Sequence, residues 1–209
     1  MGQIEPIKPP LGGPELECSF AYRELRVEHL LKLIPTVYEN GFVLDSDRVF
    51  ASPDPDDIDP PLLLGMDNIE SVIDAANRLH AVQVTVCFIG ELAGLKMGLA
   101  ITLRLDCGVA MVSVPEDMLW AFSGDPTKAE ISRLKAYTKV CQELARSFPP
   151  AFAHLDTEGV NPEELTVMKS ELVKGMDPYH ESIFDDEDTL SRLLAWYTEH
   201  NSQQWLHWT

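Results

Sequence analysis

The densest group of potential metal ligands in this sequence lies within ten residues of chain. It consists of Asp177, His180, Glu181, Asp185 and Asp186. Carboxylate oxygens with one imidazole can bind Mg²⁺, Mn²⁺ or Zn²⁺ and activate a water molecule, so a metal-dependent hydrolase is one interpretation. The spacing matches no standard metal site, and acids at 185–188 would equally suit the positive end of a following helix dipole. We favour a solvated acidic loop and keep the metal site as the alternative.

The cysteines are the candidate nucleophiles, and they are spread along the chain at Cys18, Cys87, Cys107 and Cys141. They form no C-x-x-C motif, which favours reduced thiols packed as small hydrophobic groups. Cys107 lies in an expected turn. As a nucleophile it would need His154 or His180 as a base and Asp156 to orient that base, and no sequence spacing brings these residues together. A turn cysteine without catalytic function is the favoured interpretation.

The motifs of several large enzyme classes are absent. The sequence contains no G-x-x-x-x-G-K-[ST], no G-x-G-x-x-G, no H-E-x-x-H and no G-x-S-x-G. These patterns hold phosphates, dinucleotides, catalytic zinc and a serine nucleophile, respectively. Nucleotide hydrolysis, dinucleotide redox chemistry and α/β-hydrolase chemistry are therefore disfavoured, and we predict no cofactor.

An acidic, proline-rich segment covers residues 51–66. Residues 45–74 contain nine acidic side chains and a single basic one, Arg48. The prolines are incompatible with an EF-hand calcium loop, so we expect a loop that is solvated or contacts a partner. Three leucines follow the acids, and they either pack on the domain or anchor a partner. Packing is the favoured interpretation. The candidate partner-binding residues are Asp54, Asp56, Asp57, Asp59, Leu62 and Leu63.

The whole chain is strongly acidic. Its 209 residues include 34 Asp and Glu against 16 Lys and Arg, a formal net charge of −18. Such a surface repels phosphate backbones and anionic lipids, so we expect neither a nucleic-acid partner nor a membrane partner. The N-terminus has no apolar core typical of a signal peptide, and the longest apolar stretch, 82–103, is interrupted by Glu91 and Lys96. These features predict a cytoplasmic protein.

The first half of the chain predicts a β-α-β start. Residues 1–14 are rich in Pro and Gly and form an expected flexible lead-in. Leu16–Tyr22 alternates as a strand, Arg26–Asn40 has an apolar helical stripe, and Phe42–Phe50 is a second strand. After the acidic loop, a helix is expected from Asp67 to His80, with Asp67 and Glu70 forming a capping box.

A three-stranded meander is the clearest structural prediction. Its strands are expected at 82–89, 99–105 and 109–114, with 91–96 as the loop between the first two. Helices are then expected at 127–148, from Asn161 onward and at 186–200. The predicted fold is a single α+β domain over 15–209. It has an antiparallel or mixed sheet, helices mainly on one face and a helical C-terminal half.

Charge and the absence of catalytic motifs together favour an interaction protein. We expect an acidic protein that binds and occludes a basic protein partner, with a toxin-neutralising immunity protein as one form of this function. The alternatives are the metal-dependent hydrolase using residues 177–186 and a small-ligand-binding or assembly domain. A homo-oligomer is compatible with the last of these, because an unpaired sheet edge can join two copies.

Overall fold

The computed structural model describes residues 15–54, 60–115, 119 and 127–150, and the backbone of 152–156 and 206–207. The described helices are α1 Leu30–Glu39, α2 Ile69–Leu79 and α3 Lys128–Ser147, and a short 3-10 turn precedes α1. The strands are β1 Glu15–Ala21, β2 Val43–Ser52, β3 Gln83–Leu92, β4 Leu95–Arg104, β5 Val109–Pro115, β6 Phe152–Asp156 and β7 Leu206–His207. The predicted α+β class is confirmed.

The strands form one sheet in the order β2-β3-β4-β5-β1-β6-β7, and every pair is antiparallel. The alternation seen in the sequence accounts for the central strands, because one residue in two turns toward the core. Leu99, Ile101 and Leu103 of β4 are fully buried on that side. Strands β6 and β7 fall in the half of the chain that was expected to be helical. The helices expected from Asn161 and at 186–200 lie outside the described residues, as does the lead-in 1–14.

The turn between β3 and β4 is tighter than the sequence suggested. Residues 91–96 were expected to form a loop, but Glu91 and Lys96 are paired across the two strands. Only Ala93 and Gly94 form the turn, and both have positive φ, 48° and 87°. Two such residues twist a hairpin in the sense that its strands require, and the opposite charges of the paired residues stabilise its end. The prediction of a loop over 91–96 is therefore wrong at both ends, where residues 91–92 and 95–96 belong to the strands.

The start of α2 also differs from expectation. The N-cap is Asn68, whose side-chain oxygen accepts a hydrogen bond from the Ser71 backbone N–H at 2.9 Å. The capping box predicted between Asp67 and Glu70 is therefore wrong. Either residue type can cap a helix, and the backbone entry decides which one is placed over the free N–H groups. The capping box predicted for α3, between Thr127 and Glu130, is confirmed.

One apolar core lies between the sheet and the three described helices. It combines the inward residues of α1, α2 and α3 with one face of strands β1 to β5. The opposite face, which we call the second face, carries small and polar side chains. Ser19, Cys87 and Ser113 are examples, and all three are buried. In the part of the chain that the structure describes, no helix is both long and apolar enough to cross a membrane.

Candidate functional site

The structure places only part of the predicted partner-binding segment. Asp54, Leu62 and Leu63 are described, whereas Asp56, Asp57 and Asp59 lie outside the described residues. The predicted metal ligands at 177–186 also lie outside them. Among the residues that are described, no group of three or more His, Cys, Asp and Glu side chains is arranged to hold a metal ion.

The end of the proline-rich segment returns along the outer edge of β2. The Ala51 N–H donates to the Pro61 carbonyl at 3.2 Å, and the Leu63 N–H donates to the Val49 carbonyl at 2.7 Å. Phe50 and Leu62 form an antiparallel bridge between them. Residues 61–63 therefore cover part of the edge of the sheet, and we call residues 61–64 the strap. An edge strand exposes unpaired backbone groups, and the strap satisfies two of them, the Ala51 N–H and the Val49 carbonyl.

The strap separates the three leucines by direction. Leu63 packs against the core. Its neighbours point outward, with 44% of Leu62 and 77% of Leu64 exposed. This is the alternation of an extended chain, in which successive side chains lie on opposite sides. The prediction that the leucines pack on the domain therefore holds for Leu63. Leu62 and Leu64 are exposed enough to anchor a partner.

Acidic side chains accompany these two leucines. Asp54 is exposed close to the end of β2, and its backbone N–H is held by the Ser52 hydroxyl at 3.1 Å. Asp67 and Glu70 are exposed where the chain passes from the strap into α2. We call Asp54, Leu62, Leu64, Asp67 and Glu70 the β2-edge surface. Helix α1 packs beside α2, and burial together with the negative charge of Glu70 raises the pKa of Tyr38 on α1.

Two charged residues of β2, just before the acidic segment, have a structural function. Leu44 pairs with Phe88 and Val49 with Val86, so β2 bulges over residues 45–48 where β3 has only Cys87. Within the bulge the buried Asp45 carboxylate accepts from the Asp47 backbone N–H at 3.3 Å. It also lies 3.6 Å from the Arg48 guanidinium. A buried carboxylate needs such partners, so this pair stabilises the bulge.

Cys87 lies under this bulge and is not an activated nucleophile. Desolvation raises the pKa of its thiol to about 12, and the Asp45 and Glu15 carboxylates act in the same direction. The guanidinium of Arg48 opposes them and is outweighed. Because the thiolate is the reactive form, a thiol with a raised pKa is unreactive at neutral pH.

Sequence reasoning missed a buried polar pair on the second face. The Ser19 hydroxyl donates a hydrogen bond to the Glu17 carboxylate at 2.8 Å, and both side chains are buried. The signal was present, because Glu17 and Ser19 alternate with apolar residues in β1. The pair places a carboxyl group and a hydroxyl side by side on the second face of the sheet. By register Ser19 pairs with His154 and Met111.

Cys107 and His154 are not brought to one place by the sheet. Cys107 lies in the turn between β4 and β5, and its thiol is directed at the Arg104 carbonyl at 3.7 Å. His154 pairs with Ser19 in the interior of β1, on the far side of that strand from β5. The favoured interpretation of Cys107 as a turn residue agrees with this contact.

The chain was compared with protein families, curated proteins and solved structures. No protein-family model, no curated protein and no solved structure matches this chain.

Proposed function

We propose that this protein is an acidic interaction protein that binds a basic protein partner through the β2-edge surface. The observation that carries the proposal is the exposure of Leu62 and Leu64 on a strap whose backbone is hydrogen-bonded to β2. A partner that covers them removes apolar surface from water at a site that is already ordered. Ordering before binding reduces the entropy cost of association.

The distribution of charge supports a preferred orientation of the partner. Helix α3 carries five basic and two acidic residues. Its Tyr137 side chain contacts β1 and β5, four and three strands away from β2 in the sheet order, and the helix also contacts β3. Basic charge is therefore concentrated on α3, whereas the acids of the β2-edge surface lie on and beside β2. A cationic protein would be steered toward those acids.

The two kinds of residue on the surface have different functions in this proposal. Leu62 and Leu64 contribute affinity, because a partner that covers their exposed parts removes apolar surface from water. Complete burial of a fully exposed leucine is worth roughly 1.5–3 kcal/mol, and these two contribute less. Asp54, Asp67 and Glu70 contribute association rate and selectivity for a cationic partner, because charges at the rim of an interface act mainly on encounter. An immunity protein that occludes the basic active site of a toxin would use this combination.

A photo-cross-linking residue introduced at position 64 tests the proposal in cells that express the protein. We expect one covalent adduct, with a protein of basic isoelectric point. The matched control is the same residue at position 31, because Leu31 is also an exposed leucine, on α1, and lies outside the surface. An acidic or neutral adduct at position 64, or the same adduct at both positions, would contradict the proposal.

Charge variants then test the contribution of the acids to binding of the cross-linked partner. The triple variant Asp54→Asn, Asp67→Asn, Glu70→Gln should slow association by about tenfold or more at low salt, and the difference should shrink as salt is added. A control triple, Glu24→Gln, Glu91→Gln, Asp106→Asn, changes the net charge equally at other sites. Equal slowing by both triples would show that net charge alone is responsible.

The metal-dependent hydrolase and the small-ligand-binding or assembly domain remain predictions. The residues on which the hydrolase depends, 177–186, lie outside the described part of the chain.

A further inference from the structure

Helix α3 follows the direction of β1 over its second half. Near its middle, the Tyr137 hydroxyl is hydrogen-bonded to the Leu16 carbonyl at 3.3 Å. Just after its last residue, the Phe148 ring stacks on the Tyr22 ring, with centroids 4.4 Å apart. The Tyr22 hydroxyl also donates to the Phe148 carbonyl at 3.1 Å. Two fixed points therefore align the helix with the strand.

The spacing between those points predicts what lies between them. From Tyr137 to Phe148 a helix advances about 16 Å, and from Leu16 to Tyr22 a strand advances about 20 Å. Cys18 lies one third of the way along this stretch of β1. The corresponding point on the helix is about four residues beyond Tyr137, which is Cys141. One helical turn separates Tyr137 from Cys141, so the two side chains share a face.

The contacts of the two thiols agree with this alignment. Cys18 and Cys141 are both fully buried in the core between α3 and the sheet. The Cys141 thiol adds to the rise in the pKa of the Cys18 thiol, as expected of two neighbouring side chains. The remaining cysteines are elsewhere, since Cys87 lies on the second face and Cys107 lies in a turn. Of the four cysteines, only Cys18 and Cys141 therefore lie in the core between α3 and the sheet.

We propose that Cys18 and Cys141 are an oxidation site that forms an intramolecular disulfide when the protein meets hydrogen peroxide. One thiolate attacks a peroxide oxygen, which breaks the O–O bond and leaves a sulfenic acid and hydroxide. The second thiol then displaces water from the sulfenic sulfur. In sum, two thiols and one peroxide give one disulfide and two waters. The disulfide joins α3 covalently to β1.

The surroundings of the pair determine how fast this happens. Burial, together with the neighbouring Cys141, raises the pKa of the Cys18 thiol well above its ordinary value. Little Cys18 thiolate is present at neutral pH, and burial keeps peroxide away from both thiols, so oxidation is slow and the reduced pair is the resting state. Once formed, the disulfide closes a chain segment of about 120 residues and restricts the unfolded state, so the oxidised protein melts at a higher temperature.

Peroxide treatment of the variant Cys87→Ala, Cys107→Ser tests the proposal, because only the two core thiols remain. After oxidation, unfolding and alkylation, we expect a mass loss of about 2 Da, no alkylation and a cross-linked peptide pair containing Cys18 and Cys141. The melting temperature should rise and return on reduction. Adding Cys141→Ala to this variant is the matched control, and it should abolish all of these changes.

The unsubstituted chain provides a second measurement if the variant does not fold. Its half-buried Cys107 serves as an internal marker of peroxide action, and peptide mapping reads each cysteine separately. The proposal is overturned if Cys107 is oxidised while Cys18 and Cys141 both remain open to alkylation after prolonged exposure. A disulfide that maps to another pair, or that lowers the melting temperature, also overturns it.

Discussion

The Tyr137 hydroxyl donates a hydrogen bond to the Val112 carbonyl at 2.7 Å and is also hydrogen-bonded to the Leu16 carbonyl at 3.3 Å. Tyr137 is fully buried, so its phenol group has exchanged water for these two carbonyls. Because Leu16 belongs to β1 and Val112 to β5, one side chain of α3 ties the helix to both strands. This contact sets the position of the helix over the sheet.

Tyr137→Phe keeps the ring and removes the hydroxyl. We expect the free energy of unfolding to fall by about 1–3 kcal/mol, because two buried carbonyls lose a donor. Urea denaturation measures the change. Tyr38→Phe is the matched control, since Tyr38 is a partly exposed tyrosine of α1, and it should change stability by less than about 0.5 kcal/mol. Equal losses in both variants would argue against the buried contact.

Gly90→Ala should be destabilising because of its neighbour. A Cβ at this position would overlap the ring of Phe42, which is itself buried. We expect a loss of about 1–3 kcal/mol in thermal or urea unfolding, as for other overpacked cores. In a Phe42→Leu background the same substitution should cost less, because the smaller side chain can move aside. A cost that is identical in the two backgrounds would exclude the overlap as its cause.

Neighbouring leucines of the strap should respond in opposite ways. Leu63→Ala should destabilise the protein by about 1–2 kcal/mol, since it removes a partly buried side chain. Leu64→Ala should change stability by less than about 0.5 kcal/mol. Hydrogen exchange provides a direct measurement, because the Leu63 N–H is bonded to Val49 and should exchange slowly. Rapid exchange of that amide would show that the strap does not stay on β2.

His29 should make stability depend on pH in the mildly acidic range. Its Nδ1 accepts a hydrogen bond from the Arg26 backbone N–H at 3.1 Å, and its ring lies 4.5 Å from that of Phe148. Desolvation, and then the charge of Lys32, lowers the pKa of His29 below its ordinary value of 6.5. The folded protein therefore binds this proton less readily than the unfolded chain does.

The sign of the effect follows from linkage. Because the folded pKa is the lower one, the stabilisation is complete above the unfolded pKa and is lost as pH falls toward the folded value. The melting temperature should therefore fall between about pH 7 and pH 5. His29→Gln should reduce that fall. Asn77 hydrogen-bonds Glu28 and lowers the pKa of its carboxyl, which titrates in a more acidic range. Identical pH profiles would contradict a contribution from His29.

Local patterns in the sequence were sufficient for the elements with strong periodicity. The alternation around Leu99, Ile101 and Leu103 predicted β4, and the Thr127–Glu130 capping box predicted the start of α3. Hydrophobic periodicity and helix capping both depend on residues only a few positions apart, so the sequence alone can predict them. The same reading failed at Asp67 and Asn68, because neighbouring residues of similar chemistry can both cap and the backbone entry selects one.

The candidate site shows what the sequence alone could not predict. The sequence determined that acids and leucines are concentrated in 45–74 and that cysteines occur at 18 and 141. Only the tertiary structure decided that Leu63 turns inward while Leu62 and Leu64 turn outward, because the hydrogen bonds between the strap and Val49 set that register. It also decided that Cys18 and Cys141 are buried in the same core, between α3 and the sheet. Contacts between segments far apart in the chain are selected by packing of the whole core, and no local spacing encodes them.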